Sequence, residues 1–198
     1  TNPPHALERM VFFSDAVFAI VITLLVIEIE VPKLGASAGN RAWIEAMIEL
    51  APHFAAFLLS FLVIGALWAS HHMLFTMVGR YSAQLIWPNL LLLLAVATLP
   101  FTSALMATGS LAAIPFAAYA CSLLAAGLSK ARLVRIALQP DLVKASVPQA
   151  LVRGELRRRW ILPIAGVTTL ALAFVVTPWN TLGMLLLPAL KRVPWFRS

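Results

Sequence analysis

Few side chains in this sequence are placed to do chemistry. Asp15 lies inside an otherwise apolar stretch, Met10 to Val31, whose far end carries Glu28 and Glu30. His71 and His72 are neighbours in a second apolar stretch, and His53 precedes them by about five helical turns. Adjacent histidines on a helix point about 100° apart, so the pair cannot hold one metal ion unaided. Their ordinary use is hydrogen bonding inside a helix bundle. Cys121 is the single cysteine, which excludes a disulfide framework and a cysteine-based metal site. No Walker motif, dinucleotide-binding glycine pattern, H-E-x-x-H or G-x-S-x-G occurs. No paired acids and no nucleophile with a neighbouring base are legible, so neither an enzyme nor a cofactor is expected. The T-V-G-Y-G loop, whose carbonyls replace a potassium ion's hydration shell, is also absent. A channel made of this chain would have to select ions by other means.

The composition defines the setting of these residues. Of 198 residues, 61% are hydrophobic and 12% charged. A soluble surface with so few charges would expose large apolar patches, and a disordered chain would be polar. An all-α polytopic membrane protein remains. Three long runs carry no Asp, Glu, Lys or Arg: Leu50 to Gly79, Tyr81 to Ser129, and Trp160 to Leu190. A helix needs roughly 20 apolar residues to cross a bilayer. The first run fits one crossing. The second, at 49 residues, fits two with a turn at Thr108-Gly109-Ser110. The third breaks at Thr177-Pro178-Trp179-Asn180 into two short helices or one bent one. With the Met10–Val31 segment, the expected spans are 10–31, 50–78, 85–107, 111–129, 160–177 and 182–190. The first is not read as a signal peptide, since Pro32-Lys33-Leu34-Gly35 looks like a loop and no small-x-small site follows.

Lys and Arg collect in cytoplasmic loops. Arg9, Arg80, eight bases between Lys130 and Arg159, and Lys191, Arg192 and Arg197 fall on one side, 13 of the 15 in all. Only Lys33 and Arg41 fall on the other. Both termini are therefore expected in the cytoplasm, which requires an even number of crossings and favours six. The net charge of +7 is then a product of topology and not a nucleic-acid footprint. Arg157-Arg158-Arg159 is better suited to anionic lipid headgroups. In the cytoplasmic loop of residues 130–159, Ser146-Val147-Pro148-Gln149 resembles a capping box and predicts a helix start near Val147. The chain reads as a single domain, with no internal repeat.

Charges within a span are costly, so each is a functional hypothesis. Angular position sorts those of the first helix. With Ile20 at zero and about 100° per residue, Leu24 falls at about 40°, Val31 at about 20° and Ile27 at about −20°. Ala16 falls at about −40° and Thr23 at about −60°. These make one narrow apolar stripe with a hydroxyl at its edge. Asp15, at about −140°, faces away from it, toward neighbouring helices and donors such as Arg9, a histidine or Trp68. Glu28 at about 80° and Glu30 at about −80° flank the stripe at the outer end. The ordinary reading of such a stripe is lipid contact or bundle packing.

Arg9 to Thr23 reads R-M-V-F-F-S-D-A-V-F-A-I-V-I-T, which resembles the R-x-x-x-F-S-D signature of the transmembrane protein 175 potassium-channel family of bacteria and endolysosomes. Phe57-Leu58-Leu59-Ser60-Phe61, Trp68-Ala69-Ser70-His71-His72, Asn89-Leu90-Leu91 and Pro100-Phe101-Thr102 are similar to its second and third helices. The resemblance implies a homotetramer in the bacterial cytoplasmic membrane with the first helix of each subunit lining a central pore. It places the constriction at Ile20, followed by Leu24 and Ile27, with Thr23 as the pore-lining threonine. It implies a signature network of Arg9, Phe13, Ser14 and Asp15, with Trp68 and His71 or His72 as partners. The permeant ion it implies is potassium, modestly preferred over sodium. Two other functions compete with a passive channel: a proton-coupled secondary transporter using Asp15, and a non-transporting assembly factor.

Overall fold

The structure, a computed structural model, describes residues 5–108 and 112–175. They form helices joined by short loops: α1 (Ala6–Ile27), α2 (Asn40–Glu49), α3 (Ala51–Met77), α4 (Ile86–Ala97), α5 (Leu99–Ala107), α6 (Ala113–Ala137), α7 (Gln149–Arg158) and α8 (Ile161–Val175). A single 3₁₀ turn, Ala83–Leu85, leads into α4. Among the described residues, five segments are long and apolar enough to cross a membrane: α1, α3, Ala83–Ala107, α6, and Gln149–Val175. The expected sixth span at 182–190, and the bases at 191, 192 and 197, lie outside the described residues.

The helix ends follow local chemistry. The first helix stops at Ile27 instead of running to Val31. Pro32 has no N–H for the carbonyl of Glu28 and its ring crowds that carbonyl, so Glu28 caps the helix and Glu30 and Val31 lie beyond it. The angular positions expected for Glu30 and Val31 therefore do not apply. The third span divides at Thr98 into α4 and α5. Pro100 has no N–H for the carbonyl of Val96, and the Thr98 hydroxyl takes the Ala95 carbonyl at 2.7 Å. Pro115, by contrast, sits in the first turn of α6, where its missing N–H costs nothing.

Two further segments differ from expectation. The polar connection after α1 contains α2, and α6 runs on to Ala137, so Lys130, Arg132 and Arg135 are helical. The helix expected near Val147 starts at Gln149 with Pro148 as its N-cap and no side-chain cap. Ser146 is thus two positions too far out for a capping box.

α6 is the central helix, packed against α8, α4 and α5, while α1 lies against α3, α4 and α5. The α6–α8 contact is made by backbone approach. A Cβ on Gly127 would stand 2.6 Å from the nitrogen of Pro163, and one on Gly166 would stand 2.8 Å from Cα of Leu124. At the end of the bundle that carries the bases, residues 78–80 pair with residues 142–144. Gly79 N–H donates to Leu142 O at 2.8 Å, Lys144 N–H to Met77 O at 3.0 Å, and Lys144 Nζ to Thr76 O at 2.7 Å. The loop after α3 and the loop after α6 are thereby stapled together, which sets Arg80 and Lys144 at one end of the bundle.

Candidate pore-lining site

α1 has one covered face. Ser14, Phe18, Val21 and Leu25, at intervals of four, three and four residues, are buried against the neighbouring helices. The Ile20 stripe lies about 130° round from the middle of that face. Ile20 is 58% exposed, Leu24 41% and Ile27 70%, and Thr23 is exposed between them. The Thr23 hydroxyl donates to the Ile20 carbonyl at 2.8 Å. Its proton is therefore committed, which leaves the oxygen of this exposed side chain as an acceptor.

Asp15 is half-buried at the seam of α1 and α3, where the Trp68 indole Nε1–H donates to Oδ1 at 2.9 Å. Its neighbour starts a second, fully buried set of bonds. His71 Nε2 lies 2.9 Å from Asn89 Oδ1, Asn89 Nδ2 donates to Ser14 Oγ at 2.9 Å, and Ser14 Oγ donates to Met10 O at 2.9 Å. The directions are forced from one end. Ser14 gives its proton to the Met10 carbonyl and must accept from the Asn89 amide, so the Asn89 oxygen accepts and His71 donates from Nε2. The imidazole is enclosed by the rings of Phe75, with centroids 4.7 Å apart, and Phe18, at 5.5 Å. This relay ties α1, α3 and α4 together across the bundle.

The structure thus brings Ser14, Asp15, Trp68 and His71 together and leaves the other expected members apart. Arg9 is exposed and its guanidinium has no partner among the described residues; Phe13 is exposed. His72 is exposed and its ring lies beside that of Trp68, with centroids 5.8 Å apart. Glu28 and Glu30 are exposed beyond α1. Asn89 is the member that residue types did not single out. A second buried polar cluster, Ser60 with Ser103 at 2.8 Å and Tyr119 at 3.2 Å, was also not foreseen. Lys130 reaches from α6 to the hydroxyl of Ser70 on α3. Among the described residues no group of three or more His, Cys, Asp or Glu side chains could hold a metal ion.

The three consecutive arginines are not equivalent. Arg158 lies 3.8 Å from the carboxylate of Glu155, and Arg159 stands over the Trp160 ring, 5.5 Å from its centroid. Arg157 projects outward.

Residues 9–100 match the family model described as the endosomal/lysosomal potassium channel TMEM175. The whole bundle superposes on the crystal structure of a lysosomal potassium-selective channel TMEM175 homolog from Chamaesiphon minutus with a TM-score of 0.80 and 30% identity. That match covers 93% of this chain and 97% of the other. The chain belongs to the TMEM175 potassium-channel family. This is a family of ion channels, not enzymes. A potassium channel of Streptomyces collinus is 44% identical over 99 residues, 50% of this chain and 47% of that one. The human endosomal/lysosomal proton channel TMEM175 is 27% identical over 152 residues, 76% of this chain and 30% of the human protein. The chain therefore spans about half the length of the first of these relatives and less of the second. Within the TMEM175 bundle the R-x-x-x-F-S-D segment is where α1 bonds to α3 and α4, and the Ile20 stripe is the face that it leaves uncovered.

Proposed function

We propose that this chain forms a potassium-permeable cation channel, with four copies placed round a common axis and α1 innermost. One observation carries the reading. Ser14 and Asp15 of α1 are turned to its own subunit, through Asn89 and Trp68, while a row of bulky apolar residues stands uncovered on another face. Four Ile20 side chains facing an axis make a hydrophobic constriction that gates by dewetting. Leu24 and Ile27 continue it outward, and Thr23 offers a hydroxyl oxygen at its edge. Sodium, which holds its water more tightly, pays more than potassium to pass such a ring. Glu28 and Glu30, four copies each, raise the cation concentration at the mouth. Both termini in the cytoplasm, six crossings and a bacterial inner-membrane location complete the proposal; the stapling of the basic loops at one end supports it.

A proton-coupled transporter using Asp15 has less support, because one oxygen of Asp15 is held by Trp68 and the side chain lies off the stripe. The human relative's name makes protons a second candidate permeant ion, measurable in the same experiment. Purified protein in a planar bilayer should give single-channel steps that carry potassium in preference to sodium. Ile20→Asn should raise basal conductance and weaken that preference. Currents unchanged by the substitution would remove Ile20 from the constriction, and flux without steps would point to a transporter.

A further inference from the structure

α7 runs almost directly into α8. Arg159 keeps helical geometry and its N–H bonds to Glu155 O at 3.0 Å, Trp160 N–H reaches Arg157 O at 3.5 Å in one tighter turn, and Ile164 N–H bonds to Trp160 O at 3.0 Å. The chain stays helical across the junction. With Trp160 at zero and about 100° per residue, Arg153 falls at about 20° and Arg157 at about 60°. On the other side of Trp160, Ile164 falls at about 40° and Val167 at about −20°. All five are exposed. One face of this segment thus passes from guanidinium to indole to aliphatic side chains. At about 1.5 Å per residue, Ile164 and Val167 stand about 6 and 10 Å beyond Trp160, within the roughly 15 Å of hydrocarbon that one leaflet provides, so the order matches phosphate, interface and acyl chain across one leaflet.

We propose that this face holds an anionic phospholipid of the inner leaflet, its phosphate between Arg153 and Arg157 and an acyl chain along Ile164 and Val167. Trp160 lies at the level of the glycerol. The site is narrower than the triple-arginine run suggests. Arg158 is set toward Glu155 and Arg159 stands over Trp160, so neither is the primary phosphate ligand. A second copy of the chain is a poor occupant, since two like-charged arginine faces would repel. A phosphate group with a hydrocarbon tail satisfies both halves of the ridge, and inorganic phosphate satisfies one.

The test uses the full-length protein in nanodiscs of phosphatidylcholine alone or with a quarter phosphatidylglycerol, where both leaflets contain the anionic lipid. A failure is then independent of the orientation and the conduction proposed above. Native mass spectrometry should show phosphatidylglycerol retained over phosphatidylcholine, by about fivefold for each arginine engaged. Arg153→Gln with Arg157→Gln should abolish that preference, Arg158→Gln should keep most of it, and Val167→Ser should weaken retention without changing headgroup preference. Equal retention of the two lipids by the unaltered protein overturns the site. So does an equal loss in the Arg158→Gln and the Arg153→Gln/Arg157→Gln proteins, which would mean diffuse charge attraction. Full competition by inorganic phosphate would also overturn it, since the acyl ridge would then contribute nothing.

Discussion

The Trp68 indole donates to the Asp15 carboxylate at 2.9 Å across the seam between α1 and α3. The bond joins the helix that presents the apolar stripe to the helix behind it. Trp68→Phe keeps the ring and removes the donor. Asp15→Ala removes the charge and leaves the indole N–H unpaired. A hydrogen bond to a charged group contributes about 1.5–3 kcal/mol, and the half-exposed setting places this one near the lower end. Both variants should melt earlier than the unaltered protein when followed by fluorescence-detected gel filtration, with Asp15→Ala the worse. Asp15→Asn should recover part of the loss, because an amide oxygen still accepts. Equal melting temperatures for Asp15→Ala and the parent would show that the bond is dispensable.

The relay through Asn89 predicts non-additive losses. Asn89→Leu strands the Nε2–H of His71 and takes away the donor to Ser14, all in a buried site. An unsatisfied buried polar group costs about 1–3 kcal/mol. Ser14→Ala breaks the same chain one link along. The double variant should therefore lose less than the two single losses added together. Additive effects in thermal melts would mean that the two bonds act separately.

The α6–α8 contact predicts a contrast among glycines. Gly127→Ala and Gly166→Ala place a methyl against backbone atoms of the facing helix and should cost about 1–3 kcal/mol, read as lower yield and earlier melting. Gly65→Ala meets nothing within 4 Å in the same chain and should be neutral or slightly stabilising, since alanine favours the helix. Damage from Gly65→Ala would reveal that another copy packs closely against that point of α3.

Periodicity made part of this legible in the sequence. The stripe of Ile20, Leu24 and Ile27, and the turning of Asp15 away from it, follow from about 100° per residue and need no tertiary contact. Where several residues must meet from distant positions, spacing carried nothing. Ser60, Ser103 and Tyr119 lie on three different helices, and each alone is an unremarkable hydroxyl in an apolar run. Asn89 was visible only as part of a resembling pattern, because its role depends on Ser14, 75 residues earlier. α2 was missed because ten residues with three charges fall short of a span and read as loop. The division at Thr98 depends on a hydroxyl competing for the carbonyl of Ala95 beside Pro100, a local balance that a hydropathy count averages away.

The two faces of α1 make the most direct prediction about conduction. In a background with Cys121→Ser, which removes the one exposed thiol, single cysteines can be placed along the helix and treated with a charged, water-soluble thiol reagent. A pore along the stripe requires Ile20→Cys, Leu24→Cys and Ile27→Cys to react and to lose most of their potassium current. Phe18→Cys, Val21→Cys and Leu25→Cys, on the face packed against α3 and α4, should react slowly and keep theirs. The pattern has to follow the helical period, because a pore lined by another element would leave all six currents alike. Reaction at the stripe without any loss of current would place that face in water but outside the conduction path, and the pore would then belong to a different helix.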